Sequence, residues 1–176
     1  MRLVLNGFAA VIVAAALCVL AGCGGGDDDT PRAKSLAGDP IPLADYIKRA
    51  DKICKAGRTR ARKELTGLQT SLQDDDGKLS DDDVMTLNAE GAEQVRPLVR
   101  RLTELPPPDS KRKEADAFTR AMQDTLSALD EAVKAYRGRD RVRTENALER
   151  NRDLAQDIVS NAKAVGFNEC GTEFGS

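Results

Sequence analysis

The chain has 176 residues, with 27 Lys and Arg against 29 Asp and Glu, four Cys, and neither His nor Trp. The lack of histidine excludes a Ser-His-Asp triad, a Cys-His pair, a histidine metal site and a histidine haem ligand, and no C-x-x-C pair is present to begin an all-cysteine zinc site. A net charge of -2 and an aromatic content of 3% give no footprint for nucleic acid, and a charged content of 32% predicts a helix-rich body with a small aliphatic core.

The first 22 residues have the pattern of an export signal. Arg2 and the amino terminus form a short positive region, residues 8–20 are almost unbrokenly apolar, and the run ends in Leu20-Ala21-Gly22-Cys23. These four residues resemble the lipobox of bacterial prolipoproteins. The resemblance implies that signal peptidase cuts between Gly22 and Cys23, and that Cys23 becomes the lipidated amino terminus of the mature chain.

The alternative to cleavage is an uncleaved membrane anchor, because residues 3–21 are nearly long enough to span a bilayer. The Gly24-Gly25-Gly26-Asp27-Asp28-Asp29 run favours cleavage, since it is typical of the flexible tether that follows a lipobox. Residues 23–42 are therefore predicted to be the lipidated terminus and a disordered linker, with an r.m.s. reach of about 25 Å. Residues 43–176 are predicted to be the folded domain, and both interpretations place it outside the cytoplasm.

The cysteine count is simple once the leader is removed. Cys18 leaves with the leader and Cys23 takes lipid, so Cys54 and Cys170 remain. In an oxidising compartment they are expected to form a disulfide, and two free buried thiols are the alternative.

Amphipathic segments follow the tether. In residues 43–72 apolar side chains recur at steps of three and four along one helix face, and the run Asp74-Asp75-Asp76-Gly77 ends the segment. Ser80 is the predicted N-cap of a second helix over residues 81–105, which has three Asp in its first turn. Pro97 lies inside this helix and predicts a kink or a division into two shorter helices.

Two further helices complete the domain. Pro106-Pro107-Pro108 breaks the chain, Asp109 or Ser110 is the predicted cap of the third helix, and Gly138 is its predicted left-handed C-cap. A fourth helix starts at Asp140 with Val142 among its inward residues. Four such helices with short connections favour an all-α fold, an antiparallel up-down-up-down four-helix bundle, in which the end of the fourth helix lies beside the start of the first.

The acidic loop between the first two helices partly matches the calcium-binding loop of an EF-hand. Asp74, Asp76 and Asp83 match three calcium-ligand positions of that loop, but Leu72 occupies its first position and Asp83 replaces the bidentate Glu. Helix termination and exposed ion pairs explain the same residues, so calcium is a weak candidate and no metal is assigned.

Basic residues collect at the end of the bundle that joins the tether. We consider a weak attraction of this end to anionic headgroups, with a solvated charged face as the plainer alternative. The residues are Lys48, Arg49, Lys52, Arg100, Arg101, Lys111, Arg112 and Lys113.

No catalytic group is predicted, because the acidic residues fall at caps, in loops or on exposed helix faces. Met122 or Met85 is considered as a haem ligand, but methionine at a core-facing position usually fills irregular space in the core, so no cofactor is assigned. The predicted function is therefore a non-enzymatic, membrane-anchored extracytoplasmic lipoprotein. It would sit on the outer face of the cell membrane, or on the periplasmic side where the cell has two membranes.

Its partners are predicted to be the membrane, through the lipid, and an envelope protein, without nucleic acid. It would act through protein contacts or as an envelope component. The alternative is a ligand-binding or sensory module with a small apolar pocket, since Pro97, Gly57, Ala61 and Gly91 could leave an opening between helices.

Overall fold

The computed structural model describes residues 41–74 and 76–172. The leader, Cys23 and the tether up to residue 40 lie outside the described residues. Within the described part the chain forms four helices and no strand, which confirms the all-α four-helix bundle. The helices are α1 (Leu43–Leu72), α2 (Asp81–Thr103), α3 (Arg112–Arg137) and α4 (Arg141–Val165), and a 3₁₀ turn (Asp109–Lys111) precedes α3.

Two of the helix starts follow directly from local sequence. Ser80 caps α2 through a capping box, in which its hydroxyl accepts from the Asp83 N–H and the Asp83 carboxylate accepts from the Ser80 N–H. The Asp140 carboxylate caps α4 by accepting from the Arg143 N–H at 3.0 Å. These satisfied amide donors explain why both helices begin where the sequence predicts.

Pro97 does not divide the second helix. It lies inside the single helix α2, which ends at Thr103 and not at Leu105 as predicted. The two-helix alternative is therefore wrong. The proline withholds one backbone donor, but the helix is held in the main core on both sides of it, by Ala92 and Val95 before the proline and by Leu98, Val99 and Leu102 after it.

The turn after α3 corrects the predicted cap. Gly138 has ordinary helical dihedrals (φ -77°, ψ 0°), and the left-handed residue is Arg139, with φ 58°. The Arg139 N–H donates to Tyr136 O at 2.9 Å and the Asp140 N–H donates to Ala135 O at 2.9 Å, which is a Schellman motif displaced by one residue from the glycine.

Two other details of the prediction are wrong. Asp109 and Ser110 do not cap α3, because they form the 3₁₀ turn, and the helix starts at Arg112 without a side-chain cap. Val142 does not face inward, since 68% of it is exposed. Thr144 and Ala147 are the buried residues of the first turns of α4.

The core is built mainly around α3, which contributes ten buried residues, five of them alanines. The main cluster includes Phe118, Met122, Leu102 and Ile158, and smaller clusters lie towards the two ends. Small side chains on α3 let the neighbouring helix backbones approach closely, so a modest apolar volume fills the bundle.

Side-chain hydrogen bonds join successive elements of the bundle. Between α2 and α3, the Tyr136 hydroxyl near the end of α3 donates to Asp82 Oδ1 near the start of α2 at 2.8 Å, and Arg96 donates to Asp130 at 2.6 Å. Between the 3₁₀ turn that precedes α3 and the last turn of α4, Lys111 Nζ donates to Ala164 O at 2.7 Å.

Gly57 on α1 packs directly against Leu98 of α2. A Cβ placed on Gly57 would lie 2.2 Å from Leu98 Cδ1, so the Leu98 side chain occupies the space over the glycine. At Gly91 of α2 the corresponding Cβ would lie 3.8 Å from Leu65 Cδ1, in ordinary contact. Both glycines therefore lie in the packed α1–α2 interface.

Candidate functional site

The first feature of the site is a disulfide between α1 and the tail that follows α4. Cys54 and Cys170 are joined with an S–S distance of 2.02 Å and a Cα–Cα distance of 5.2 Å, and both residues are buried. The bond links positions 116 residues apart, and the loop-entropy model gives a stabilisation of about 5 kcal/mol for a loop of that size.

Asp51 holds the same tail through its backbone. The Asp51 carboxylate accepts from the N–H groups of Asn168 at 3.1 Å, Glu169 at 2.9 Å and Cys170 at 3.3 Å, and from the Asn168 side-chain amide at 3.2 Å. Asp51 lies three residues before Cys54, so one side of α1 carries both the covalent and the hydrogen-bonded attachment of the tail.

Arg58 adds a third attachment one turn further along α1. Its guanidinium donates to Glu169 O at 3.0 Å, forms an ion pair with the Glu169 carboxylate and donates to Thr172 Oγ1 at 2.5 Å. Lys55 Nζ lies 3.6 Å from the same carboxylate. The tail is thus fixed to α1 by a short polar network beside the disulfide.

Three aromatic rings pack together at the end of the bundle beside this tail. Phe167 lies between Tyr46 of α1 and Phe118 of α3, with ring centroids 5.8 Å and 5.1 Å away. The Tyr46 hydroxyl is in the apolar end cluster, where burial, with a contribution from Asp116, raises its pKa to about 12. Gly166, with φ 98°, reverses the chain so that Phe167 can enter.

The residues proposed for calcium are used as loop and cap acceptors. Asp74 Oδ1 accepts from the backbone N–H of Asp76 at 3.0 Å and of Lys78 at 2.7 Å, while the Asp76 carboxylate lies 3.3 Å from Lys78 Nζ. Asp83 is turned to Ser80 in the capping box. Within the described residues, no group of three or more His, Cys, Asp or Glu side chains is arranged to hold a metal ion.

The two methionines considered for haem are buried in separate parts of the core. Met122 packs in the main cluster with Phe118 and Leu126, and Met85 packs with Ala132 and Val133 in the cluster towards the other end. Apolar neighbours of this kind suit methionine as a filler of irregular space.

Basic residues at the start of α4 pair with acidic residues of α3 and α4. Glu131 accepts from Arg150 at 2.5 Å and from Arg143 at 3.1 Å, and these hydrogen bonds hold the pKa of the Glu131 carboxyl below its usual range. Arg141 donates to Glu145 at 2.7 Å. This network joins the polar half of α4 to α3 at the surface.

At the predicted basic end, two of the cations have partners within the fold. Lys111 Nζ donates to Ala164 O and lies 3.6 Å from the Glu114 carboxylate. Arg112 donates to Asp109 at 2.7 Å, which raises the pKa of the guanidinium. The 3₁₀ turn before α3 therefore uses these charges internally.

Of the other predicted cations, Arg100 and Arg101 lie exposed in the last turn of α2, Lys113 lies exposed in the first turn of α3, and the rest lie on the exposed side of α1. This basic face of α1 begins with the predicted residues Lys48, Arg49 and Lys52 and continues for about 22 Å along the helix axis, away from the predicted basic end. The later residues of the face were not predicted, because the predicted basic surface was confined to one end of the bundle; their helical spacing is the signal that identifies them. The basic face consists of Lys48, Arg49, Lys52, Lys55, Arg60, Arg62 and Lys63, all of them exposed.

Most cations of the basic face lack an acidic partner. Lys55 pairs with Glu169, whereas five others form no ion pair within 4.0 Å among the described residues: Lys48, Arg49, Lys52, Arg60 and Lys63. Asp45 is the acidic residue nearest the start of the face, and Asp51 is directed to the tail.

None of the four helices in residues 41–74 and 76–172 combines the length and the apolar character needed to cross a bilayer. Comparison with protein-family models, with curated proteins and with solved structures finds no match to this chain.

Proposed function

We propose that this protein is a lipoprotein anchored at the extracytoplasmic face of a membrane through Cys23, and that its helical domain is a non-enzymatic module acting through protein contacts or as an envelope component. The observation that carries the proposal is the Leu20-Ala21-Gly22-Cys23 sequence at the end of an apolar leader, followed by a Gly- and Asp-rich run.

The disulfide supports export independently of the leader. Structural disulfides form and persist in oxidising compartments and are rare in the cytosol. Cys54 and Cys170 are both buried, and the tail that carries Cys170 is fixed by Asp51 and Arg58, so the bond belongs to a defined packing arrangement. A protein that stays in the reducing cytosol would have two free thiols at this end of the bundle in place of the disulfide.

The uses of the polar side chains support a contact function. Asp51 binds backbone amides of the tail, Asp83 and Asp140 cap helices, and Glu131 bridges two arginines. Each of these carboxylates stabilises the fold, which is the role expected in a module whose surface, and not a pocket, makes the functional contacts.

The alternative of a ligand-binding or sensory module rests on small residues between helices, which would leave an opening for a ligand. Leu98 fills the space over Gly57, and Leu65 lies in contact distance of Gly91, so these positions serve helix packing. If that alternative held, native mass spectrometry of the purified protein would show a co-purifying small molecule.

Intact-mass measurement of protein isolated from its own membrane tests the anchor. The expected species begins at residue 23 and carries a diacylglyceryl group, with no thiol available to alkylation before reduction. A Cys23→Ser variant is the matched control and is expected to remain unlipidated. An unprocessed wild-type chain without added hydrocarbon, and with every thiol open to alkylation, would refute the proposal.

Chemical cross-linking in intact cells tests the contact function. The lipidated wild type is expected to give a defined cross-linked product with an envelope protein, and the mature chain with Cys23→Ser, exported behind a cleavable leader that has no lipobox and so released from the surface, is expected to lose it. A wild type that gives no product, with the anchor established by mass, would leave the lipoprotein assignment standing and contradict the contact function.

A further inference from the structure

We propose that the basic face of α1 docks on anionic phospholipid headgroups, so that α1 lies along the membrane surface. The location rests on the proposed anchoring through Cys23. The docking itself is a separate property of the domain and can be measured without the lipid.

Positive charge is concentrated on one side of α1. The whole chain has a net charge of -2, so its overall charge gives no attraction to an anionic surface. Seven cations nevertheless share one side of α1, and five of them have no acidic partner within 4.0 Å in the described part of the chain. These five charges are not neutralised by a direct ion pair, and α1 from Asp45 to Glu64 carries eight cations against three carboxylates, which leaves a net charge of +5 to attract an external anion.

The orientation of α1 is fixed by its packing and by its attachment to the tail. The opposite side of α1 is buried through Tyr46, Ala50 and Cys54, and the flank is fastened to the tail by Asp51 and Arg58. Because α1 cannot rotate in this setting, its cations stay on the outside as one surface about 22 Å long.

Cys23 lies close to the basic face along the chain. About twenty residues separate Cys23 from α1, so they can span at most about 70 Å, and they join α1 at Leu43, close to Lys48. Attraction to an anionic surface falls off within a Debye length, about 8 Å at physiological ionic strength. The tether thus keeps the basic face near enough to reach the surface repeatedly.

The composition of the face favours headgroups over an acidic protein. Stable protein interfaces are enriched in aromatic residues and depleted of lysine, whereas the exposed residues between Lys48 and Lys63 include no aromatic side chain. Flexible cations spread along a helix suit a layer of mobile anionic groups, to which each side chain can adjust separately.

Vesicle binding of the mature chain with Cys23→Ser provides the test. Vesicles of phosphatidylglycerol mixed with phosphatidylcholine are compared with phosphatidylcholine alone, and salt is varied. Binding is expected only with phosphatidylglycerol and is expected to weaken as salt rises. The triple change Lys52→Glu, Arg60→Glu and Lys63→Glu is expected to lower the partition coefficient at least about 100-fold, from about fivefold for each cation near the surface.

A matched triple change controls for net charge. Arg120→Glu, Lys134→Glu and Lys163→Glu alter the same number of exposed cations on α3 and α4, and partitioning is expected to stay within a few-fold of the parent. The neutral triple change of Lys52, Arg60 and Lys63 to Gln guards against a folding defect and is expected to give about half the logarithmic effect of the reversal. Circular dichroism checks that each variant is folded.

Equal loss in the two reversal variants, undiminished binding by the α1 variant, or equal binding to neutral vesicles would each overturn the docking proposal. Binding to a poly-glutamate peptide without binding to the vesicles would also overturn it and would assign the face to an acidic protein. None of these results bears on acylation of Cys23, which the mass measurement decides separately.

Discussion

Replacement of Gly57 by alanine is expected to destabilise the bundle, although alanine is the better helix former. The new Cβ would lie 2.2 Å from Leu98 Cδ1 and 3.2 Å from Leu98 Cγ, so the Leu98 side chain must move. Leu98 is only 8% exposed and packs in the main core, where such overpacking costs about 1–3 kcal/mol. Alanine returns about 1 kcal/mol through helix propensity, which leaves a net loss of about 1 kcal/mol.

Gly67 on the same helix is the matched control. A Cβ there meets nothing within 4 Å, so Gly67→Ala is expected to stabilise the protein by about 1 kcal/mol. Urea denaturation of the disulfide-intact protein, followed by far-ultraviolet circular dichroism, measures both changes as shifts of the midpoint at constant slope. The two variants should therefore differ by about 2 kcal/mol.

A double-mutant cycle isolates the contact. In a Leu98→Ala background the contacts with Leu98 Cδ1 and Cγ are removed and only the one with Cβ at 3.3 Å remains, so Gly57→Ala is expected to lose most of its cost. The close-packing argument would be refuted if Gly57→Ala in the parent raised stability as much as Gly67→Ala does, or if the Leu98→Ala background left its cost unchanged.

Three other predictions follow from individual contacts. Asp51→Asn is expected to lower the free energy of unfolding by about 1–3 kcal/mol, because the amide loses the charge that the tail N–H groups bind, and unchanged denaturation would contradict this. Gly138→Ala is expected to stabilise by about 0.5–1 kcal/mol and Gly166→Ala to destabilise, because Gly138 has helical dihedrals and Gly166 has φ 98°; thermal unfolding of both variants checks the opposite signs. Tyr46 and Tyr136 are the two tyrosines, and burial in the first and the hydrogen bond to Asp82 in the second raise each pKa to about 12. Their stabilising contribution is complete below pH 10 and is lost as pH rises through 12, so ultraviolet titration of the phenols should show a midpoint well above 10 in the folded protein.

The helices were predictable because their signals are local. Apolar residues at helical spacing marked the buried face of α1, and Ser80 and Asp140 marked two starts through side chains that reach only three residues ahead. Tertiary contacts override the same kind of rule at Pro97, where core packing on both sides keeps one continuous helix. The Schellman turn at Arg139 shows that the glycine and the left-handed residue need not coincide.

The attachments of the tail could be anticipated only in part. The pairing of Cys54 with Cys170 follows from counting cysteines, but the role of Asp51 depends on where three tail amides lie after the chain reverses at Gly166. One acidic residue on a partly polar helix carries no sequence signal for such a role. The full extent of the basic face could be recognised only from the structure. The buried side of α1 defines the opposite, exposed side, and the cations lie there.

The Cys54–Cys170 bond encloses every interhelical connection of the bundle, at residues 73–80, 104–111 and 138–140. A protease that cuts one of these connections therefore releases no fragment while the bond is intact, since both pieces remain covalently joined. Tension applied through the residues that precede α1 can unravel only the ten or so residues of α1 before Cys54, and the cross-link then bears the load. Resistance to nicking and to pulling thus ends with reduction of a single bond.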